Sequence, residues 1–137
     1  MKVALDTNVL VSAVATRGLC ADSFNLVLAQ HELVVGATVL SELQRVLREM
    51  IRVPTKIVRE LDAFLRREAI IATEADALGI VIRDETDVPV LEAAVAGGAE
   101  VLVTGDRDLL EITDKLPIRI LTPRGFWAQI RNDAPKR

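Results

Sequence analysis

Val3-Ala4-Leu5-Asp6-Thr7-Asn8-Val9-Leu10 sets a carboxylate directly after a short apolar run. Near the other end of the chain, Val101-Leu102-Val103-Thr104-Gly105-Asp106 repeats the arrangement. Short apolar runs without polar alternation read as strands covered on both faces, the habit of parallel sheets. In such sheets ligands bind in the crevice beyond the carboxyl ends of the strands. Two acids delivered to that edge point to a cluster of carboxylates, which cannot stay fully ionised without a cation. The pattern predicts a divalent-metal site on an α/β domain.

The rest of the chain fits around these two strands. Residues 2–5 are the first strand, and residues 8–15 an apolar helical segment broken by Arg17-Gly18. Residues 21–30 have helical spacing (Phe24, Val27, Leu28), with Asp22 and Ser23 in the first turn. Residues 33–35 form a second strand closed by Gly36, and Thr38 is a candidate N-cap for a helix running to Arg52. Pro54 starts another helix, at a position where proline is tolerated, that reaches Glu68. Residues 69–73 and 80–82 are short strand candidates, and Asp87 opens a helix ended by Gly97-Gly98. Strand 101–104, a short helix over 108–113, strand 119–121 and a helix from Thr122-Pro123 with Phe126, Trp127 and Ile130 complete the order. Strands alternating with helices predict an α/β fold, a three-layer α/β/α sandwich with a mostly parallel central sheet. A single domain is expected over residues 1–131, followed by a polar tail over 132–137.

Composition narrows the function. The 137 residues suffice for one domain, and with 50% apolar and 3% aromatic residues the core is one of Val, Leu, Ile and Ala. No apolar run approaches the roughly 18 residues that span a bilayer, and Met1-Lys2-Val3 lacks the layout of a signal peptide. A cytoplasmic protein is expected. The lone Cys20 excludes an internal disulfide, and with the lone His31 it cannot make a Cys/His zinc cage. The net charge of −3 includes the acids of the expected site. With those set aside the remainder is marginally basic, which permits a polyanionic substrate.

Each acid has a structural reading beside the functional one. Asp6 suits an N-cap as well as a metal ligand. Glu42 lies at the edge of the helical arc of Val39, Leu43, Val46, Leu47 and Met50, where it can turn towards the core side or complement the helix dipole. Arg45, Arg48 and Arg52 fall on the opposite, solvent side. Arg83-Asp84-Glu85-Thr86-Asp87 is the densest acidic stretch, with Asp87 a candidate N-cap and Asp84 a candidate turn residue. Thr104-Gly105-Asp106-Arg107-Asp108 is the second, and an Asx-type turn accounts for it equally well. Four acids at strand ends or on a core-facing edge are harder to assign to capping jointly. Mg²⁺ or Mn²⁺ takes hard oxygen ligands and keeps several waters, so a few carboxylates and a substrate phosphate suit it. In two-metal sites one ion activates water and the other stabilises the leaving oxygen.

Leu5-Asp6-Thr7-Asn8-Val9-Leu10, Ser41-Glu42-Leu43, Asp84-x-x-Asp87 and Val103-Thr104-Gly105-Asp106-Arg107-Asp108-Leu109 succeed one another in an order that resembles PIN-domain proteins, in the VapC-like branch of toxin–antitoxin toxins. Gly97-Gly98 ahead of the strand at 101 also matches, and the likeness covers residues 1–130. The resemblance implies a ribonuclease that hydrolyses phosphodiesters with Mg²⁺ or Mn²⁺. By position, Asp6, Glu42, Asp87 and Asp106 would be the catalytic acids and metal ligands. Asn8 would sit near the scissile phosphate, Thr104 would be a polar support, and Asp84 and Asp108 would be accessory acids. Related sequences carry a Pro and a further Asp inside the third motif, where this chain has Glu85 and Thr86, so Asp84, Glu85 and Asp87 are all candidates for the metal. The resemblance further implies an RNA substrate, a homodimer, and an antitoxin partner whose tail blocks the site.

Arg45, Arg48 and Arg52, with Lys56, Arg59, Arg66 and Arg67, can line one side of the crevice and hold phosphates, or simply form a solvated helix face. Trp127 and Phe126 are expected to pack the last helix rather than stack on bases. Two other functions compete. A haloacid-dehalogenase-type phosphatase needs a second acid two residues after its nucleophile, where this chain has Asn8, and leaves Glu42 idle. A PIN-like domain can also act as a catalytically silent RNA- or protein-binding module.

Overall fold

The computed structural model describes residues 1–73, 88–112 and 116–133. Its centre is a five-stranded sheet of β1 (Lys2–Leu5), β2 (Glu32–Gly36), β3 (Ile70–Ala72), β4 (Val101–Val103) and β5 (Arg119–Leu121). The strands run in the order β3-β2-β1-β4-β5, and all four pairings are parallel. Val3 stands opposite Leu33 on one side and Val101 on the other, so β1 is the middle strand.

Side chains alternate across this sheet and build a separate core on each face. Val3, Leu5, Leu33, Val35, Val101 and Val103 point to one face. They meet α1 (Thr7–Ala15), α2 (Leu19–Gln30), α3 (Ala37–Arg45), α4 (Thr55–Glu68) and α7 (Pro123–Asp133), which contribute Leu10, Phe24, Leu43, Leu65 and Phe126 among others. Ala4, Val34, Leu102 and Ile120 point to the other, where α5 (Val88–Ala96) and α6 (Arg107–Leu110) bring Leu91, Ala94 and Leu109. Continuous apolar strands are thus explained: both faces are covered, each buried Val or Leu contributing about 1.5–3 kcal/mol. The three-layer α/β/α sandwich expected from the sequence is present.

α5 ends in a Schellman arrangement, with the Ala99 amide donating to the Ala94 carbonyl at 3.0 Å and Gly98 at φ +77°. Beside it, a Cβ on Gly97 would stand 2.5 Å from Val34, so only glycine lets this helix end close onto β2.

Several boundaries differ from the sequence reading. α2 begins at Leu19 behind Gly18, and Ser23 is buried within it instead of serving its first turn. α3 begins at Ala37 with Gly36 in the cap position, so Thr38 is not the N-cap. The helix expected to reach Arg52 leaves α geometry at Val46 and finishes as a π turn over Val46–Met50. The wider turn rotates the last residues of the helix out of the apolar stripe: Leu47 is buried but Met50 is 69% exposed. Pro54 caps α4 rather than entering it, and α7 continues through Asp133, into the segment read as tail. The strand candidate at 80–82 and the acids Asp84, Glu85 and Asp87 lie outside the described residues. No helix among the described residues is long and apolar enough to cross a membrane.

Candidate metal centre at the sheet edge

The chain lays down β1, β2 and β3 to one side and then crosses back to place β4 and β5 on the other. The reversal falls between β1 and β4, and a crevice opens beyond the carboxyl ends of strands at such a point. Asp6 and Thr104 are the residues immediately after those two strands. Their amides continue the ladder, Asp6 donating to the Val103 carbonyl at 3.2 Å and Thr104 to the Leu121 carbonyl at 2.9 Å.

Both acids at this edge are also helix caps. Asp6 has extended backbone (φ −77°, ψ 172°), and its Oδ1 accepts from the Val9 amide at 2.9 Å, which starts α1. The Asp106 Oδ1 accepts from the Asp108 amide at 2.8 Å, which starts α6. The capping and functional readings are therefore compatible, because each cap uses one oxygen and leaves lone pairs on the carboxylate.

Thr104 ties the two together. Its fully buried hydroxyl donates to the Asp6 Oδ2 and accepts from the Asp106 amide at 3.0 Å. Burial pushes the Asp6 carboxyl above its ordinary range, and the nearby Asp106 charge adds to this. The Thr104 hydroxyl and the Val9 and Asn8 amides pull it back down. A desolvated carboxylate beside a second one is a site where a cation lowers the energy of the ionised form.

Not every expected ligand joins this pair. Glu42 lies on the exposed surface of α3, where the Arg45 Nη2 sits 2.9 Å from its Oε1, and both side chains are about half exposed. Its helix edge thus faces solvent rather than the core side, because the buried stripe is Val39, Leu40 and Leu43. Among the described residues no three His, Cys, Asp or Glu side chains stand together as a metal site. Asn8 is exposed in the first turn of α1, adjacent to Asp6. Asp108 meets Asp106 through its backbone amide. Two oxygen-donor carboxylates at an open edge fit a hard cation that retains water.

Arg45, Arg48 and Arg52 are all exposed, as expected from the wheel. The sequence reading missed two features near them. Arg52 has φ +63°, a left-handed backbone that strains a residue with a Cβ. A cleft between α3 and α4 is lined by Gln44, Arg48, Thr55, Val58, Arg59 and Asp62. It is held by a bond from Gln44 to Asp62, 18 positions apart, for which no local pattern exists.

The comparisons agree with the architecture. VapBC2 from Rickettsia felis, solved bound to a DNA fragment from its promoter, is similar over 89% of this chain and 98% of its own, with 22% identity and a TM-score of 0.62. VapBC-1 from nontypeable Haemophilus influenzae is similar over 90% of this chain and 99% of its own, with 17% identity and a TM-score of 0.64. At these identities the likeness is one of fold. No curated protein matches the chain. The family model of the PIN domain matches residues 2–108, from β1 through the Asp6, Thr104 and Asp106 assembly, and the chain therefore belongs to the PIN-domain family.

Proposed function

We propose that the protein is a divalent-metal-dependent endoribonuclease that hydrolyses RNA phosphodiester bonds, the toxin of a toxin–antitoxin pair. The observation that carries this reading is the Asp6–Thr104–Asp106 assembly at the switch point of a PIN-family sheet. Asp6, Glu42, Asp87 and Asp106 form the proposed catalytic and metal-binding set, supported by Asn8, Thr104, Asp84 and Asp108. Mg²⁺ or Mn²⁺, when bound, supplies the Lewis acidity that activates water and neutralises charge on the phosphate.

The chain's own residues prepare the place for that chemistry. Thr104 and Val9 each take one oxygen of Asp6, fixing the plane of its carboxylate while leaving lone pairs for a cation. Asp106 is fixed through its backbone by Thr104 and through one oxygen by the Asp108 amide. Glu42 would join the set by giving up its pairing with Arg45. Arg45, Arg48 and Arg52 supply positive charge for the polyanion along and just beyond the same helix. The fold shared with the VapBC structures supports an antitoxin as partner. A homodimer and a cytoplasmic setting complete the proposal.

The test is cleavage of a mixed, structured RNA pool by purified protein with Mg²⁺, Mn²⁺ or chelator, with Asp6→Asn run beside it. Metal-dependent cleavage that disappears in the variant is the expected result. A second reading, a catalytically silent RNA- or protein-binding module, is favoured by the engagement of Glu42 with Arg45. Under that reading neither protein cleaves, and both bind RNA or a partner equally.

A further inference from the structure

We infer that the cleft between α3 and α4 is a phosphate subsite, in which Arg48 and Arg59 hold the backbone of the RNA strand away from the cleavage point. The inference rests on the ribonuclease reading and deepens it. Basic side chains that are equivalent in the sequence differ sharply in their partners. Arg45 is paired with Glu42 at 2.9 Å and Glu49 at 3.6 Å on its own helix. Arg66 is paired with Asp62 at 3.0 Å, and Arg67 with Glu68 at 3.2 Å while lying over the Phe64 ring. Arg48 and Arg59 form no ion pair with the described residues, and both line the same cleft.

The remaining lining makes the cleft an anion site. Asp62 is its one acid; its Oδ1 accepts from Gln44 and its Oδ2 from Arg66, whose charge offsets it. The Arg48 Nε makes only a long 3.4 Å contact to the Gln44 carbonyl, leaving its terminal nitrogens to a ligand. Thr55 adds a hydroxyl at the first residue of α4, and Val58 is the one apolar member. Two guanidinium forks and a hydroxyl suit the non-bridging oxygens of a phosphodiester, a group that an RNA strand repeats at every nucleotide. Exposed Met50 and Ile51 at the end of the π turn and Ile57 in the first turn of α4 make an acidic, partly apolar protein segment the competing occupant.

The experiment measures binding of a short, fluorescein-labelled, mixed-sequence single-stranded RNA by anisotropy, in chelator so that nothing is cleaved, across a range of salt. The full chain is compared with Arg48→Gln, Arg59→Gln and Arg48→Lys, and with Arg67→Gln, which removes the same charge from a paired site. Arg48→Gln and Arg59→Gln are expected to weaken binding about five- to tenfold and to lower the slope of log affinity against log salt by about 0.7 each. Arg48→Lys is expected to restore the slope but not the whole affinity, and Arg67→Gln to change affinity by less than about twofold. Equal losses for all three Gln variants, or none, overturn the subsite. A labelled glutamate-rich peptide is titrated in the same way, and retained RNA binding with lost peptide binding in Arg48→Gln and Arg59→Gln overturns the subsite in favour of a protein segment. If the parent cleaves or binds RNA while the variants match it, only the subsite falls. If the parent does neither, the ribonuclease reading falls with it.

Discussion

The sheet edge and the α3–α4 corner are built on opposite principles. At the edge, Asp6 and Thr104 come directly after strand ends, Asp106 follows two residues beyond Thr104, and the Thr104 hydroxyl joins the two acids. The corner departs from regular geometry twice within a short stretch, in the π turn over Val46–Met50 and at Arg52 with φ +63°. It leaves Met50, Ile51 and Ile57 in solvent. Regular strands can deliver a side chain to a set place because their register is pinned on both sides, as β1 is by β2 and β4. A helix end has no such pinning, and strain there persists only where neighbouring structure holds it.

Four experiments test that contrast. The largest effect belongs to the π turn: Leu47→Ala should cost about 2–5 kcal/mol as a core truncation, while Met50→Ala should cost under about 0.5 kcal/mol. Urea denaturation decides this, and comparable losses would mean that the helix keeps α register and buries both. Next comes Thr104→Val, nearly isosteric, which removes the hydroxyl that serves both acids. We expect a stability loss of about 1–3 kcal/mol and cleavage reduced by roughly 10–100-fold. Thr104→Ser should recover most of both, and a Val variant with unimpaired turnover would show that the hydroxyl only packs.

Two smaller effects test the strain at the corner and the charge at the edge. Arg52→Gly should stabilise the fold by about 0.5–1 kcal/mol, since glycine takes a left-handed backbone without a Cβ penalty. A loss in denaturation midpoint would show that the arginine is held there by contacts worth more than the strain. The smallest expected effect is on the pH dependence of stability through Asp6. Its carboxyl is raised above the ordinary value of 3.8, so the folded chain binds its proton more tightly than the unfolded chain. Stability from this group is therefore lost as pH climbs from 3.8 through the raised value. Asp6→Asn should flatten that stretch of the profile in metal-free protein while leaving the fold intact. An unchanged slope would assign the titration to other acids.

The two readings of Asp6 illustrate what a sequence can hold. Cap and ligand are alternatives on paper, yet one carboxylate has oxygens enough for Val9, Thr104 and a cation. Glu42 shows the reverse. The helical wheel sets it at an edge, but a wheel cannot say that Arg45, three residues on, holds it at the surface. The pairing of Gln44 with Asp62 and the sorting of Arg48 and Arg59 from Arg66 and Arg67 depend on how α3 and α4 cross. Side chains 18 positions apart leave no periodic trace.

Local chemistry was legible in the chain: apolar runs that must be covered on both faces, glycines where α5 ends against β2, and acids stationed after strands. These are set by the burial of each strand and by near-neighbour capping, whose range is a few residues. Packing of the layers set the strand order that places β1 beside β4, the join of Asp6 to Asp106 through a buried threonine 98 positions from Asp6, and the charges left uncancelled between α3 and α4. Those depend on contacts between segments distant in the chain, and such contacts exist only once the layers have packed.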